Sequence, residues 1–317
     1  MKKVIVYISG VVFFLSICLG IAVYVTPPPP TPPDIIKPPP IQGASAALLW
    51  TNKNKIIAEK NGDSAIYPAS TTKILTCIIA LEEGHTLLKK EANISSFSIK
   101  QDGTLLGISP DNPIILEQLL YGMMLVSGND AASAVAETVG GEYHRFIQMM
   151  NEKANIIGCT NSHFSNASGL TDPTHYSTAV DMTKIAAYAM NNQMFRDIVS
   201  KKIYNMTYID GTVQLIKNRN EFLDSKYYGA NGIKTGMTEA AGECLVASAE
   251  RNGQLLIMSV YNDEARWQDV QKWLNYGFSI IEQEEKYQKE LAEEPRIYKW
   301  INQLLGKELY EEKTSAL

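Results

Sequence analysis

The stretch "ECLVASAERNGQLLIMSVYN", residues 243–262, sets two apolar runs on either side of Asn252-Gly253. Asn-Gly accepts the positive φ that a two-residue hairpin turn needs at both centres, so the runs predict two antiparallel strands. "ASAALLW" and "KIIAEK", flanking "TNKN" at 51–54, predict another hairpin. Between these lie helical patterns. Tyr67–Gly84 reads as a buried helix, "EQLLYGMMLVSGNDAASAVAETVGG" as two helices broken near Gly128, and "DMTKIAAYAMNN" as another. A further helix is expected from about Arg266 to Ile281. Strands at both ends with helices between them predict an α+β fold, an antiparallel sheet packed against helices with a helical subdomain.

Ahead of this region the texture differs. After Lys2 and Lys3, the run Val4–Val25 carries no charge. At ~1.5 Å per residue it would reach roughly 33 Å, about a bilayer core. The flanking lysines favour a cytoplasmic N-terminus, so a single-pass bacterial membrane anchor with an extracytoplasmic domain is expected. The alternative is a signal peptide cleaved near Gly20-Ile21-Ala22, giving a secreted protein. Thr26–Pro40 then holds nine of the chain's 14 prolines. Such a segment favours polyproline II and would act as a spacer of about 45 Å. The expected organisation is an anchor (1–25), a proline-rich linker (26–40), a catalytic domain (41–281) and a charged tail (282–317). In that tail Ile297, Trp300, Ile301, Leu304 and Leu305 recur at helical spacing.

The formal net charge of −5 gives no basic excess, so nucleic acid is not an expected partner. The four cysteines, Cys18, Cys77, Cys159 and Cys244, show no zinc spacing, and the four histidines form no H-E-x-x-H pattern. No metal site is expected.

Three short stretches carry chemistry. In "YPASTTKILT" Ser70 precedes Lys73 by three residues, one helical turn, which puts both on one face. Pro68 sets the entry, and Ser70 is expected in the first turn, where free N–H groups and the helix dipole favour a developing oxyanion. The apolar residues that follow would bury Lys73 and lower its proton affinity. A neutral amine beside a hydroxyl is a general base for a nucleophile. "VSGND" places Ser127 and Asn129 at a helix break, facing a cleft. "GIKTGMT" places Lys234, Thr235 and Gly236 on an expected strand, where a cation and a hydroxyl suit a carboxylate and Gly236 permits close backbone approach. Taken singly, each stretch reads better as a cap, a turn or a strand end; together and in this order they are far more specific.

The order S-x-x-K, S-x-N, K-T-G resembles the penicillin-binding proteins and serine β-lactamases. "YPASTTKILT", "SGNDAA", "SGLTDPTHYSTAVDM", "NRNEFL" and "GIKTGMTEAAGECLVASA" are similar to the low-molecular-weight serine D-alanyl-D-alanine carboxypeptidases, over roughly Ala44 to Phe278. The resemblance implies Ser70 as nucleophile, Lys73 as its base and Ser127 as proton relay to the leaving D-alanine. It implies Asn129 on the acyl side of the substrate, Lys234 and Thr235 on the terminal carboxylate, and Arg219 as a second cation there. The backbone N–H groups of Ser70 and Met237, beside Gly236, would form an oxyanion hole. The implied partners are a peptidoglycan pentapeptide ending in D-Ala-D-Ala and β-lactams as covalent inhibitors, with no cofactor.

Two departures stand out. "NASGL", Asn166–Leu170, replaces the Asn-Pro-His-Gly-Leu of many relatives, and too little chain follows Phe278 for their β-rich second domain. A D,D-endopeptidase with the same residues is the nearest alternative. A β-lactamase fits less well, because "HFSNASGLTDPTHYS" holds no glutamate for deacylation. A non-catalytic wall-binding module fits less well again, since all the motif residues are present.

Overall fold

In the computed structural model, which describes Gly20 and residues 30–293, the two expected hairpins join one sheet. Strands β1 (Ser45–Trp50) and β2 (Lys55–Lys60) pair around the Thr51–Lys53 turn. Strands β6 (Gly242–Arg251) and β7 (Gln254–Tyr261) pair across Asn252 and Gly253, both with positive φ, 51° and 75°. With β5 (Ala230–Thr238) they form a five-stranded antiparallel sheet of order β2-β1-β7-β6-β5. The last strand in sequence but two is therefore an edge, and it is the one carrying Lys234, Thr235 and Gly236.

Helix α1 (Lys73–Glu82) is apolar all round, and Ile74, Leu75, Ile78 and Ile79 are fully buried. A helix with no polar stripe has to be surrounded. It sits in one core cluster with residues of α2 (Leu116–Leu125), α3 (Asn129–Gly140), α4 (Tyr143–Ile157), α5 (Ala179–Ala189) and α6 (Gln193–Val199). The same cluster takes Ala47, Val246 and Ile257 from the sheet. Helix α5 is tied to β7 by buried hydroxyls: Thr183 donates to Ser259 Oγ at 2.8 Å, which donates to the Ala179 carbonyl at 2.8 Å. On the sheet's other face lies the part of α7 (Arg266–Glu293) up to Gly277. Its Gly277 lies so close that an added Cβ would be 2.6 Å from Leu256 Cδ1 and 3.0 Å from Leu48 Cδ2. A separate two-stranded sheet joins β3 (Ile203–Thr207) to β4 (Val213–Lys217).

Residues 38–277 make one compact unit. A second groups 1–37 with 278–317, and of it the structure describes Gly20, residues 30–37 and the end of α7. The expected break between domain and tail at 281 falls inside α7, which runs twelve residues past the expected helix end.

The expected membrane location is overturned: among the described residues no helix is long and apolar enough to cross a membrane. The apolar run 4–25 that suggested it lies outside the described residues, Gly20 excepted, as does the patterned tail from Ile297 to Leu305. An apolar run alone is a length and a composition, and neither fixes a location.

Because α1 is enclosed on all sides, it has no slack to absorb a missing side chain. Ile78→Ala should lower the unfolding free energy by about 2–5 kcal/mol, measured by urea denaturation. A loss under about 0.5 kcal/mol would mean the helix is not the core's centre.

Candidate active site

Ser70 lies in a tight turn of 3-10 helix, Ala69–Thr72, and Lys73 is the first residue of α1 proper. Ser70 was expected inside the α-helix. The difference comes from Ala69, which adopts a left-handed φ of 47° straight after Pro68 and forces a tighter turn before the α-helix begins. A left-handed non-glycine residue costs about 1–2 kcal/mol. Ser127, in the break between α2 and α3, is a second such residue, with φ 71°. Strain of this kind concentrates at functional sites.

The one-turn spacing does what it promised. Lys73 Nζ lies 3.0 Å from Ser70 Oγ. The same nitrogen donates to Asn129 Oδ1 and to the Ser168 carbonyl, both at 2.7 Å. Lys73 is wholly buried. Burial, then the nearby Lys234 charge, pulls its pKa well below the ordinary lysine value; Asp130 opposes this and Arg219 adds to it.

These contacts define the amine's orientation. The Asn129 amide is itself fixed, because its Nδ2 donates to the Asp102 carbonyl at 2.7 Å. Asn129 Oδ1 and the Ser168 carbonyl can only accept. A neutral amine has two N–H bonds and one lone pair. In that form, two hydrogens given to those oxygens would leave the lone pair facing the Ser70 hydroxyl.

Gly236 brings the edge strand against this turn. A Cβ there would lie 3.1 Å from Ala69 Cβ and 3.2 Å from the Ser70 nitrogen. Next to it, Met237 holds its side chain two-thirds exposed. Lys234 is buried, with Nζ donating to the Thr235 carbonyl at 3.1 Å, and Thr235 is half-buried. Burial and then the Arg219 charge lower the Lys234 pKa to about 7. Arg219 is exposed and donates to Thr104 Oγ1 at 2.9 Å. The Thr104 carbonyl in turn accepts the Asn129 N–H at 2.7 Å. Ser70, Lys73 and Asn129 are thus directly linked, Gly236 abuts Ser70, and Lys234 and Arg219 act on Lys73 through charge. Ser127 is buried two residues ahead of Asn129.

Three residues that the sequence reading passed over shape the loops around these groups. Asp130 accepts the backbone N–H groups of Leu106, Gly107 and Ile108 at 2.7–3.2 Å, pinning that loop to the start of α3. An acidic residue in a helix's first turn was a usable signal. Asn166 Oδ1 accepts the N–H groups of Ser168, Gly169 and Leu170, shaping the loop that offers the Ser168 carbonyl. An Asn three residues ahead of Gly169 was the signal there. Gly169 has φ 87°, and a Cβ would fall 1.7 Å from the Ala69 carbonyl oxygen, so no other residue fits. His175 is the third, and nothing in its local sequence marked it.

The sequence profile of the peptidase S11 family, described as D-alanyl-D-alanine carboxypeptidase, matches residues 33–265. The chain belongs to this family. It is 30% identical over 261 residues to D-alanyl-D-alanine carboxypeptidase DacF of Bacillus subtilis, covering 78% of this chain and 65% of that protein. It is 34% identical over 239 residues to the D-alanyl-D-alanine carboxypeptidase of Streptomyces sp. strain K15, covering 70% and 82%. The crystal structure of the Streptomyces K15 DD-transpeptidase superposes with a TM-score of 0.72 at 32% identity, covering 77% of this chain and all of that one. The α+β architecture read from the hairpins and helices is the fold of these neighbours.

Gly236→Ala should give a folded protein in which the strand is pushed off Ser70. Acylation by a fluorescent penicillin should slow on the order of 100-fold. An unchanged rate with an unchanged melting temperature would mean the strand need not approach so closely.

Proposed function

We propose that this protein is a serine-type D-alanyl-D-alanine carboxypeptidase that removes the terminal D-alanine of peptidoglycan stem peptides. The observation that carries the reading is the buried Lys73 amine at 3.0 Å from Ser70 Oγ, held also by Asn129 Oδ1 and the Ser168 carbonyl. Lys73 takes the Ser70 proton as Oγ bonds to the carbonyl carbon between the two D-alanines. The oxyanion that forms is held by the N–H groups of Ser70 and Met237. The C–N bond then breaks, and the leaving amine receives a proton through Ser127. Water hydrolyses the acyl-enzyme, returning Ser70. Asn129 supports the acyl side of the substrate.

The free edge of β5 supports this reading. An edge strand leaves backbone N–H and C=O groups able to pair with an extended peptide. Lys234, on that strand, supplies the charge for the substrate's terminal carboxylate, with Thr235 and Arg219 beside it. The same contacts suit a β-lactam, whose ring amide and carboxylate present the same pair of groups. The Streptomyces K15 relatives bear both the carboxypeptidase and the transpeptidase name. Whether water or an acceptor amine ends the cycle here is accordingly an outcome of the assay.

The full chain incubated with fluorescent penicillin should become covalently labelled, and Ser70→Ala should not. Released D-alanine from a pentapeptide identifies the carboxypeptidase; cleavage of a cross-linked dimer instead would identify an endopeptidase. Folded wild-type protein that takes up no label would overturn the reading.

The pH dependence follows from the two lysines. Lys73 must be neutral to act as a base, so kcat/KM rises with pH through its lowered pKa. Lys234 must be charged to hold a carboxylate, and it loses its charge as pH rises through about 7. A bell-shaped profile of kcat/KM is expected, with the Lys234 limb near pH 7. In Lys234→Arg that limb should vanish, because a guanidinium stays charged past pH 12. A falling limb unmoved by that substitution would assign it to another group.

A further inference from the structure

His175 lies 103 positions from Thr72 in sequence, yet its ring meets that residue inside the Ser70–Lys73 motif. It is buried to 1% exposure, edge-on to the Phe164 ring. Its Nδ1 accepts backbone N–H groups from Ser165 at 3.0 Å and Asn166 at 3.4 Å. A ring nitrogen that accepts carries no proton, so the proton is on Nε2. Nε2 lies 2.9 Å from Thr72 Oγ1 and donates to it. Burial lowers the imidazole's pKa to about 4, Asp172 opposes this, and His163 and Lys73 add to it. The ring is therefore neutral through the working range of pH.

The two ends of this ring meet the two segments that set the Lys73 amine. Thr72 lies between Ser70 and Lys73. Residues 165 and 166 lead into the loop whose Ser168 carbonyl accepts from Lys73. The same loop is fastened to α1 one turn further on, where Thr76 Oγ1 donates to the Ala167 carbonyl at 2.7 Å. The segment bearing His175 is itself held on both sides. Ser177 exchanges backbone hydrogen bonds with Ile66, and Tyr176 does so with His163.

We propose that His175 is a positioning residue: its neutral Nε2–H form ties the 165–169 loop to the Ser70 turn and thereby fixes the carbonyl that orients the Lys73 amine. The proposal rests on Ser70 and Lys73 acting as nucleophile and base. Without the ring, the Ser168 carbonyl is free to shift, the amine loses one of its two acceptors, and the lone pair no longer points at Ser70 for most of the time. Substrate contacts on β5 are untouched, so binding before the covalent step is spared.

The test uses the full chain and stopped-flow acylation by a fluorescent penicillin, separating the initial dissociation constant from the acylation rate constant. His175→Ala should lower the rate constant on the order of 10- to 100-fold and leave the dissociation constant unchanged. Thr72→Val should show the same split, and adding it to His175→Ala should cost little more, since both break one link. His175→Gln, whose amide can still donate toward Thr72, should recover most of the rate. A folded His175→Ala that acylates at the wild-type rate would overturn the proposal and leave His175 a packing residue. So would losses from the two substitutions that multiply fully. If His175→Ala does not fold, a wild-type acylation rate in Thr72→Val decides against the proposal. Failure of the wild-type chain to acylate at all would instead overturn the reading of Ser70 and remove the basis of this one.

Discussion

A primary amine with no exposure to water, held between two oxygens that can only accept, is the constraint around which the site is arranged. Lys73 donates to Asn129 Oδ1 and the Ser168 carbonyl and faces Ser70 Oγ. Taking an ammonium out of water costs several kcal/mol, and the cheaper state is the neutral amine. Burial of α1 enforces that state, and the neighbouring lysine reinforces it. Each acceptor is then fixed in turn: Asn129 by the Asp102 carbonyl, Ser168 by the Asn166 amide and by the loop's attachment to Thr72 and Thr76. Packing, rather than any special property of the lysine, prepares it for the proposed reaction.

The sheet contributes the other half. Its edge strand meets the Ser70 turn only because position 236 has no side chain and the backbones can approach. Lys234 sits two residues back on the same strand, so the proposed carboxylate clamp and the Ser70 turn are held in one register. Its lowered pKa is the cost of burying a cation, and Arg219 nearby makes that charge harder to keep. The proposed reaction asks opposite protonation states of the two lysines, and burial lowers the pKa of both.

Much of this was legible in the sequence. Asn252-Gly253 announced its hairpin because few other pairs accept two left-handed residues in succession. The Ser70–Lys73 spacing and the apolar run behind it announced a buried lysine. Lys-Thr-Gly before the hairpin announced a strand, though not that it would be an edge, since strand order depends on packing. The 3-10 turn was hidden because it depends on Ala69 adopting a conformation alanine disfavours. Asp130 and Asn166 left local signals, but the backbone N–H groups that they and His175 hold leave no trace in residue identity. For His175 the partner is also 103 residues away. The N-terminal apolar run shows the opposite failure, a clear pattern from which a location was drawn that the described residues do not support.

The central claim is that Lys73 is a neutral amine in the resting protein. Nuclear magnetic resonance of the full chain carrying lysine labelled at Cε, with the Lys73 signal assigned by comparison with Lys73→Arg, measures this directly. The predicted result is a titration midpoint well below the ordinary lysine value of 10.5. A Lys73 signal that stays in its charged position until about pH 10 would contradict the account.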